Sequence, residues 1–186
     1  MRVISGSLKG KSIKFLKNLS TRPLKDAVKE NIFNILKHSK LVDVKIENAN
    51  ILDLYSGIGS FGLECISRGA KKVTFVEKDK IVFKILRENL TQLSIINKSN
   101  TINNKVENFL NQNNKEKFKF FFLDPPFSDE EFIQNLNLIK KNKIYEKKHI
   151  IVIHRENNVN DNLDSLIKIL VIKQYGRSKI IFGVFN

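Results

Sequence analysis

Asp124-Pro125-Pro126-Phe127 ends the strand-like run 119–123 and is the stretch of the chain best equipped for chemistry. Two prolines remove two backbone donors and hold the chain extended, which leaves the Pro125 carbonyl as an acceptor beside the Asp124 carboxylate. The tetrad offers acceptors and no acid. That suits an exocyclic amino group on a nucleobase: Asp124 and the Pro125 carbonyl take its two N–H bonds while the nitrogen lone pair turns toward an electrophile. Phe127 supplies a stacking face, worth ~1–3 kcal/mol per base in single-strand binding. The lone pair of an aromatic amine is delocalised, so an already activated methyl donor asks for orientation and desolvation rather than for a general base.

A second constellation lies upstream. The apolar run 51–55 leads into Ser56-Gly57-Ile58-Gly59-Ser60-Phe61-Gly62 and a helical stretch carrying Leu63, Cys65 and Ile66. Glycines there let the backbone turn tightly and approach a ligand beside a helix N-terminus. Glu77, 20 residues after Gly57, ends the next strand, where an acid can accept both ribose hydroxyls. Gly57, Gly59 and Gly62 satisfy the dinucleotide fingerprint G-x-G-x-x-G, so the loop alone admits NAD as well as S-adenosylmethionine. Asp53, inside the strand, favours the second by offering a carboxylate to a cationic amino-acid moiety. Tyr55 either packs beside the cofactor or caps the strand.

His38, His149 and His154 share no spacing and have no acid or thiol cluster around them, so they read as surface or strand-end residues and no metal site is expected. Cys65 reads as a core thiol. The acids Asp129-Glu130-Glu131 fit the first turn of a helix and would repel a polynucleotide backbone.

The elements that must position these groups follow from periodicity. Residues 2–5 and 11–15 read as two short strands of a hairpin around Gly6, Ser7 and Gly10. Apolar residues at Leu24, Val28, Ile32, Ile35 and Leu36 then recur at helical spacing after Arg22-Pro23. Strands are expected at 51–55, 73–77, 118–124 and 149–154, and helices from near Ser60, Asp79 and Ser128. The polar clusters 97–104, 111–117 and 157–162 read as loops. Such alternation predicts an α/β, Rossmann-like fold, a mostly parallel sheet with helices on both faces. The stretches 166–173 and 179–185, around Tyr175-Gly176-Arg177-Ser178, read as a hairpin that closes it antiparallel.

Composition sets the outer bounds. The chain has 186 residues, 41% hydrophobic and 28% charged, an ordinary globular mixture. Its longest apolar runs fall far short of the ~20 residues of a membrane-spanning helix, so no membrane partner is expected. A lone Cys65 and the absence of a secretory leader point to a reducing, cytoplasmic setting. The formal charge is +14, and the first 25 residues carry five Lys, two Arg and no acid, half of the excess. Much of the Lys abundance elsewhere fits an AT-rich coding bias, but a local block of this kind reads as an anion-binding arm for nucleic acid.

At these motifs the chain resembles the RsmD family of class I S-adenosylmethionine-dependent methyltransferases. The likeness rests on Arg2-Val3-Ile4-Ser5-Gly6 with Lys9-Gly10-Lys11, on Thr21-Arg22-Pro23, on the segments 28–34 and 53–70, on Val76-Glu77-Lys78-Asp79 and on the Asp124 tetrad. The resemblance implies a seven-stranded class I methyltransferase sheet and methylation of the exocyclic N2 of a guanine in small-subunit (16S) ribosomal RNA. It implies that Asp53, Gly57 and Gly59 lie at the methionine end of the cofactor, with Tyr55 a further candidate contact, that Glu77 holds the ribose, and that Asp124, Pro125 and Phe127, with Pro126 completing the tetrad, present the guanine. It also implies an RNA grip formed by Arg2, Lys9, Lys11, Lys14 and Arg22. The adenine amine is held in the family by an Asp or Asn before the third helix. Alignment from Phe109 puts Lys105 there, and Asn104 takes the place with a one-residue slip. The expected organisation is a basic extension over 1–40 and a methyltransferase domain over 41–186, acting as a monomer on the RNA, the small ribosomal subunit or an assembly intermediate. Two rivals stand beside it: an adenine-N6 methyltransferase on DNA or RNA, which uses the same tetrad, and a non-catalytic RNA-binding ribosome assembly factor.

Overall fold

Short runs of β-branched and aromatic residues, each followed by a helix-period segment, alternate along most of the chain and set its architecture. A computed structural model describes residues 1–15, 24–112, 115–129, 131–159 and 161–186. Helix α1 (Asp26–His38) precedes β1 (Asn50–Leu54), α2 (Ser60–Ser67), β2 (Lys72–Glu77), α3 (Lys80–Gln92), β3 (Ser99–Asn103), α4 (Val106–Leu110), β4 (Phe118–Leu123), α5 (Glu131–Asn142), β5 (Tyr145–Glu156), β6 (Ile167–Tyr175) and β7 (Ser178–Phe185). The seven strands form one sheet in the order β3-β2-β1-β4-β5-β7-β6. Strands β1 to β5 are parallel, and β7 runs antiparallel to both β5 and β6.

Strand alternation sorts the core onto the two faces. Ile51, Phe75, Phe120, Phe122 and Val152 face α1, α2 and α3, whereas Leu52, Val76, Phe121, Leu123 and Ile153 face α4 and α5. Phe61 of α2 stacks on Phe122 with centroids 3.9 Å apart and packs against Phe33 of α1 at 5.2 Å. Helix α3 starts where expected because Asp79 caps it, accepting the N–H groups of Ile81 and Val82 at 2.8 and 3.0 Å. Among the described residues, no helix is long and apolar enough to cross a membrane.

Two expectations are corrected. The polar cluster 97–104 is not a loop: Ser99–Asn103 pairs with β2 as the edge strand β3, where half-exposed positions tolerate polar side chains. The N-terminal hairpin forms only an isolated antiparallel bridge, Arg2 with Ser12, because its polar groups bond to helix α2 instead of extending a ladder. Glu64, fully buried, accepts the N–H groups of Ile4 and Ser5 at 2.7 and 2.9 Å, and Ser67 accepts at its carbonyl from Ser7 at 2.8 Å. Gly6, at φ +84°, lies so close that an added Cβ would stand 1.9 Å from the Ser67 carbonyl oxygen. The described residues before 41 pack onto the core of the sheet. Val3, Ile13, Val28 and Ile32 share one cluster with Ile51 and Phe120.

Candidate active site

In an open parallel sheet the ligand crevice lies outside the carboxyl ends of the strands, where the strand order reverses. Here that point falls between β1 and β4, and a cavity of about 690 Å³ opens there. The backbone leaves β1 through Tyr55 at φ +57°, a left-handed conformation that an aromatic residue adopts only under constraint. The constraint is visible: the Tyr55 hydroxyl accepts from Asn135 Nδ2 of α5 at 2.8 Å, and burial pushes the phenol pKa up.

Gly57 follows at φ +55°, and a Cβ there would meet nothing within 4 Å, so its bare edge faces the cavity. Its N–H donates to Glu77 Oε2 at 2.8 Å, while Oε1 of the same carboxylate accepts from Asp79 N–H at 2.8 Å. Glu77 is thus set at the tip of β2 by two backbone donors, and burial still raises its pKa against their pull. Asn103 locks the neighbouring strand ends by donating to the carbonyls of Glu77 and Lys78 at 2.9 and 3.2 Å. Both Asn104 and Lys105 line the cavity, so the two candidates for the adenine contact stand together on its wall. Asn104 Oδ1 already accepts from Lys105 N–H at 2.8 Å and from Asn108 Nδ2 at 3.0 Å.

Two expected cofactor residues do not reach the cavity wall. Gly59, at φ +86°, turns toward the core, where a Cβ would stand 2.5 Å from Leu86 Cδ1. Asp53 is 1% exposed beneath the loop, its Oδ2 accepting from Gly62 N–H at 3.0 Å and its Oδ1 buried without a partner. Burial above all, then the charges of Asp124 and Glu77, drive its pKa well above the usual carboxylate range, outweighing the Gly62 hydrogen bond.

At the other side of β1, Asp124, Pro125, Pro126 and Phe127 all lie on the cavity wall. Among the described residues none donates to the Pro125 carbonyl, whereas the Pro126 carbonyl accepts from Asp129 N–H at 2.8 Å and from Arg155 Nη1 at 3.1 Å. Arg155 was not singled out by the sequence. It is 1% exposed, forks onto Asp161 with two bonds of 3.0 Å, and lies 4.4 Å over the Phe132 ring. His154, taken for a bland strand-end residue, lines the cavity and bonds Asp124 through Nδ1 at 2.8 Å. His149 departs from that expectation: it is buried within β5, its two ring nitrogens engage the Glu146 carbonyl and Phe185 N–H, and burial lowers its pKa. Cys65 is fully buried in the core.

The charge of the cavity inverts that of the chain. Among its described lining residues Glu77, Asp79, Glu107, Asp124, Asp129 and Glu131 face only two lysines, Lys78 and Lys105. A ligand bearing positive charge fits this wall, and a pyrophosphate does not.

The basic segment approaches the cavity from one end. Phe15 and Leu24 line it, and the backbone of Lys14 is held by Asn89, whose Oδ1 accepts from Lys14 N–H at 2.8 Å while Nδ2 donates to the carbonyls of Lys14 and Ile58. Arg22 lies outside the described residues. Arg2, Lys9, Lys11 and Lys14 are exposed, with Lys14 paired to Glu88 at 3.3 Å. Lys9 and Lys11 sit on the turn docked by Ser67, at the far end of α2 from the glycine loop.

The family model described as conserved hypothetical protein 95 matches residues 1–184. Ribosomal RNA small subunit methyltransferase D of Haemophilus influenzae is 35% identical over 158 residues, 84% of this chain and 79% of that protein. The Escherichia coli K12 protein of the same name is 30% identical over 156 residues, 84% of this chain and 75% of its own length. The solved structure of Escherichia coli yhhF superposes with a TM-score of 0.85 at 27% identity, covering 100% of this chain and 98% of that one. A match spanning nearly every residue, on a class I methyltransferase sheet with the glycine loop and tetrad at its switch point, places the chain in the conserved hypothetical protein 95 family, the RsmD methyltransferases.

Proposed function

We propose that this chain transfers a methyl group from S-adenosylmethionine to the exocyclic N2 of a guanine in small-subunit (16S) ribosomal RNA, acting as a monomer in the cytoplasm. One observation carries the reading: Glu77 and Asp124 open on the same acid-lined cavity from strands β2 and β4, which flank β1. Two strand spacings separate them by about 10 Å, room for a nucleoside at one end and a reacting amine at the other.

S-adenosylmethionine, when bound, supplies a methyl group on a cationic sulfur, activated without help from the protein. Gly57 gives its backbone close approach, Glu77 takes the ribose hydroxyls, Asn104 or Lys105 borders the adenine, and Tyr55 closes the wall by the tetrad. Asp53 and Gly59 act through the loop, the first by holding Gly62 and the second by packing on Leu86. Asp124 and the Pro125 carbonyl then hold the two N–H bonds of the guanine amine while Phe127 stacks on the ring, fixing the lone pair along the line of transfer. The target base leaves its stack to reach them. Residues 1–40 serve as the RNA-facing extension, and the relatives' name, small-subunit ribosomal RNA methyltransferase, supports that substrate.

Labelled cofactor, incubated with 16S RNA and with small subunits from a strain lacking the family's enzyme, followed by mass mapping, tests the proposal. N2-methylguanosine is the expected product, and Asp124→Ala abolishes it while cofactor affinity holds. Label on adenine or on DNA overturns the assignment, and a chain that binds no cofactor by calorimetry is an assembly factor instead.

A further inference from the structure

We propose that His154 is a positioning residue for methyl transfer, fixing the Asp124 carboxylate so that its second oxygen meets the amine. This rests on the transfer reading above. Parallel pairing of Leu123 with Ile153 brings the next residues, Asp124 just past the end of β4 and His154 near the end of β5, side by side. His154 Nδ1 lies 2.8 Å from Asp124 Oδ1, with the two side chains 12% and 24% exposed. A carboxylate only accepts, so this bond requires the proton on Nδ1. The same imidazole packs edge-on against Phe127, centroids 5.7 Å apart at 78°. One side chain therefore touches both groups that present the base.

The terminal torsion of an aspartate is broad and roughly two-fold, so an untied carboxylate samples many orientations. Tying Oδ1 leaves Oδ2 as the oxygen directed to the amine. Arg155, the next residue on β5, points to the other face of the sheet and secures the Pro126 carbonyl. The end of β5 thus holds the tetrad twice, once by its acid and once by its backbone.

Three variants separate positioning from packing. An asparagine amide nitrogen takes the place of Nδ1, a glutamine amide reaches only as far as Nε2, and phenylalanine keeps the ring without a donor. Single-turnover transfer at saturating RNA and cofactor should fall about tenfold to a hundredfold in H154F and stay low in H154Q. It should recover most of its rate in H154N, with S-adenosylmethionine affinity within about twofold of the parent throughout. Parental rate in H154F overturns the proposal, as does an H154N no faster than H154F when both melt like the parent. A readout independent of RNA is the ring tautomer in 15N-histidine spectra: Nδ1 carries the proton in the parent and releases it to Nε2 in Asp124→Ala. A parent protonated on Nε2 alone refutes the positioning role even if folding losses obscure the kinetics. Should the parent methylate no guanine, the transfer reading fails by itself, and the spectra still decide whether His154 fixes Asp124.

Discussion

Arg155 donates from Nη1 to the Pro126 carbonyl at 3.1 Å while its other nitrogens grip Asp161, so a buried ion pair carries the backbone of the Asp124 tetrad. Breaking one side of such a pair leaves a charge stranded in the core, at a cost of about 3–5 kcal/mol. Arg155→Met should therefore lower unfolding stability by that order in urea titrations. Removing Asp161 as well should recover part of the loss, since no uncompensated charge then remains. A loss below about 1 kcal/mol would show the pair to be bathed by solvent and the brace unimportant.

Gly57 and Gly62 belong to one sequence fingerprint but meet different surroundings. An added Cβ at Gly57 finds open cavity and the cost of φ +55°, about 1–2 kcal/mol. At Gly62 it stands 2.3 Å from Phe75 Cε1 and 2.8 Å from Val73 Cγ1, an overpacked core. Gly57→Ala should fold with modest loss yet bind S-adenosylhomocysteine at least tenfold more weakly by calorimetry, because the methyl fills cavity space that the ligand needs. Gly62→Ala should show the reverse priority, a large fall in melting temperature. Equal effects on binding and stability at both positions would contradict the division of labour between them.

Asp53 makes the fold pH-sensitive. Burial raises its pKa well above the ordinary aspartate range, so between the unfolded and folded values the native state binds a proton that the unfolded chain has released. Stability contributed by this group is full below the ordinary aspartate pKa and declines as pH rises toward the folded value. Asp53→Asn, whose amide oxygen can still accept from Gly62, should remove that decline. Its melting temperature should exceed the parent's at neutral pH and converge with it in acid. A parent whose stability stays level across that range would show that Asp53 is hydrated after all.

The parts of the site visible in sequence are those fixed by local chain chemistry. Glycines before a helix, an acid ending the next apolar run and prolines after a third can be read because each motif is built by adjacent residues. β3 was missed because Ser99-Asn100-Thr101-Ile102-Asn103 has the composition of a loop, and only pairing with β2 at the sheet edge makes it a strand. Asp53 and Gly59 carry the right residue types but point beneath the loop, a direction that spacing does not reveal. Arg155 and His154 depend on contacts about 30 residues away in sequence. A faint signal for His154 existed: two equal apolar runs, 120–123 and 150–153, each end in a polar residue, and parallel strands in register set those ends together.

The basic hairpin lies along α2 with Lys9 and Lys11 by Ser67 and with Lys14 near the cavity, so its charges trace a line leading to the site rather than a cluster around it. An RNA strand gripped along that line releases one condensed counterion for roughly each phosphate neutralised. Each contact contributes about 0.7 to 0.9 to the slope of log affinity against log salt. Replacing Lys9, Lys11 and Lys14 together by glutamine should weaken RNA binding and reduce that slope by about two to three. Cofactor affinity should not change, because the cavity lining includes none of the three. Lys14 alone should contribute less than either neighbour at low salt, since its ammonium is already shared with Glu88 at 3.3 Å. Filter binding across a salt series measures all of this, and a triple variant with the parental slope would place the RNA on another face of the protein.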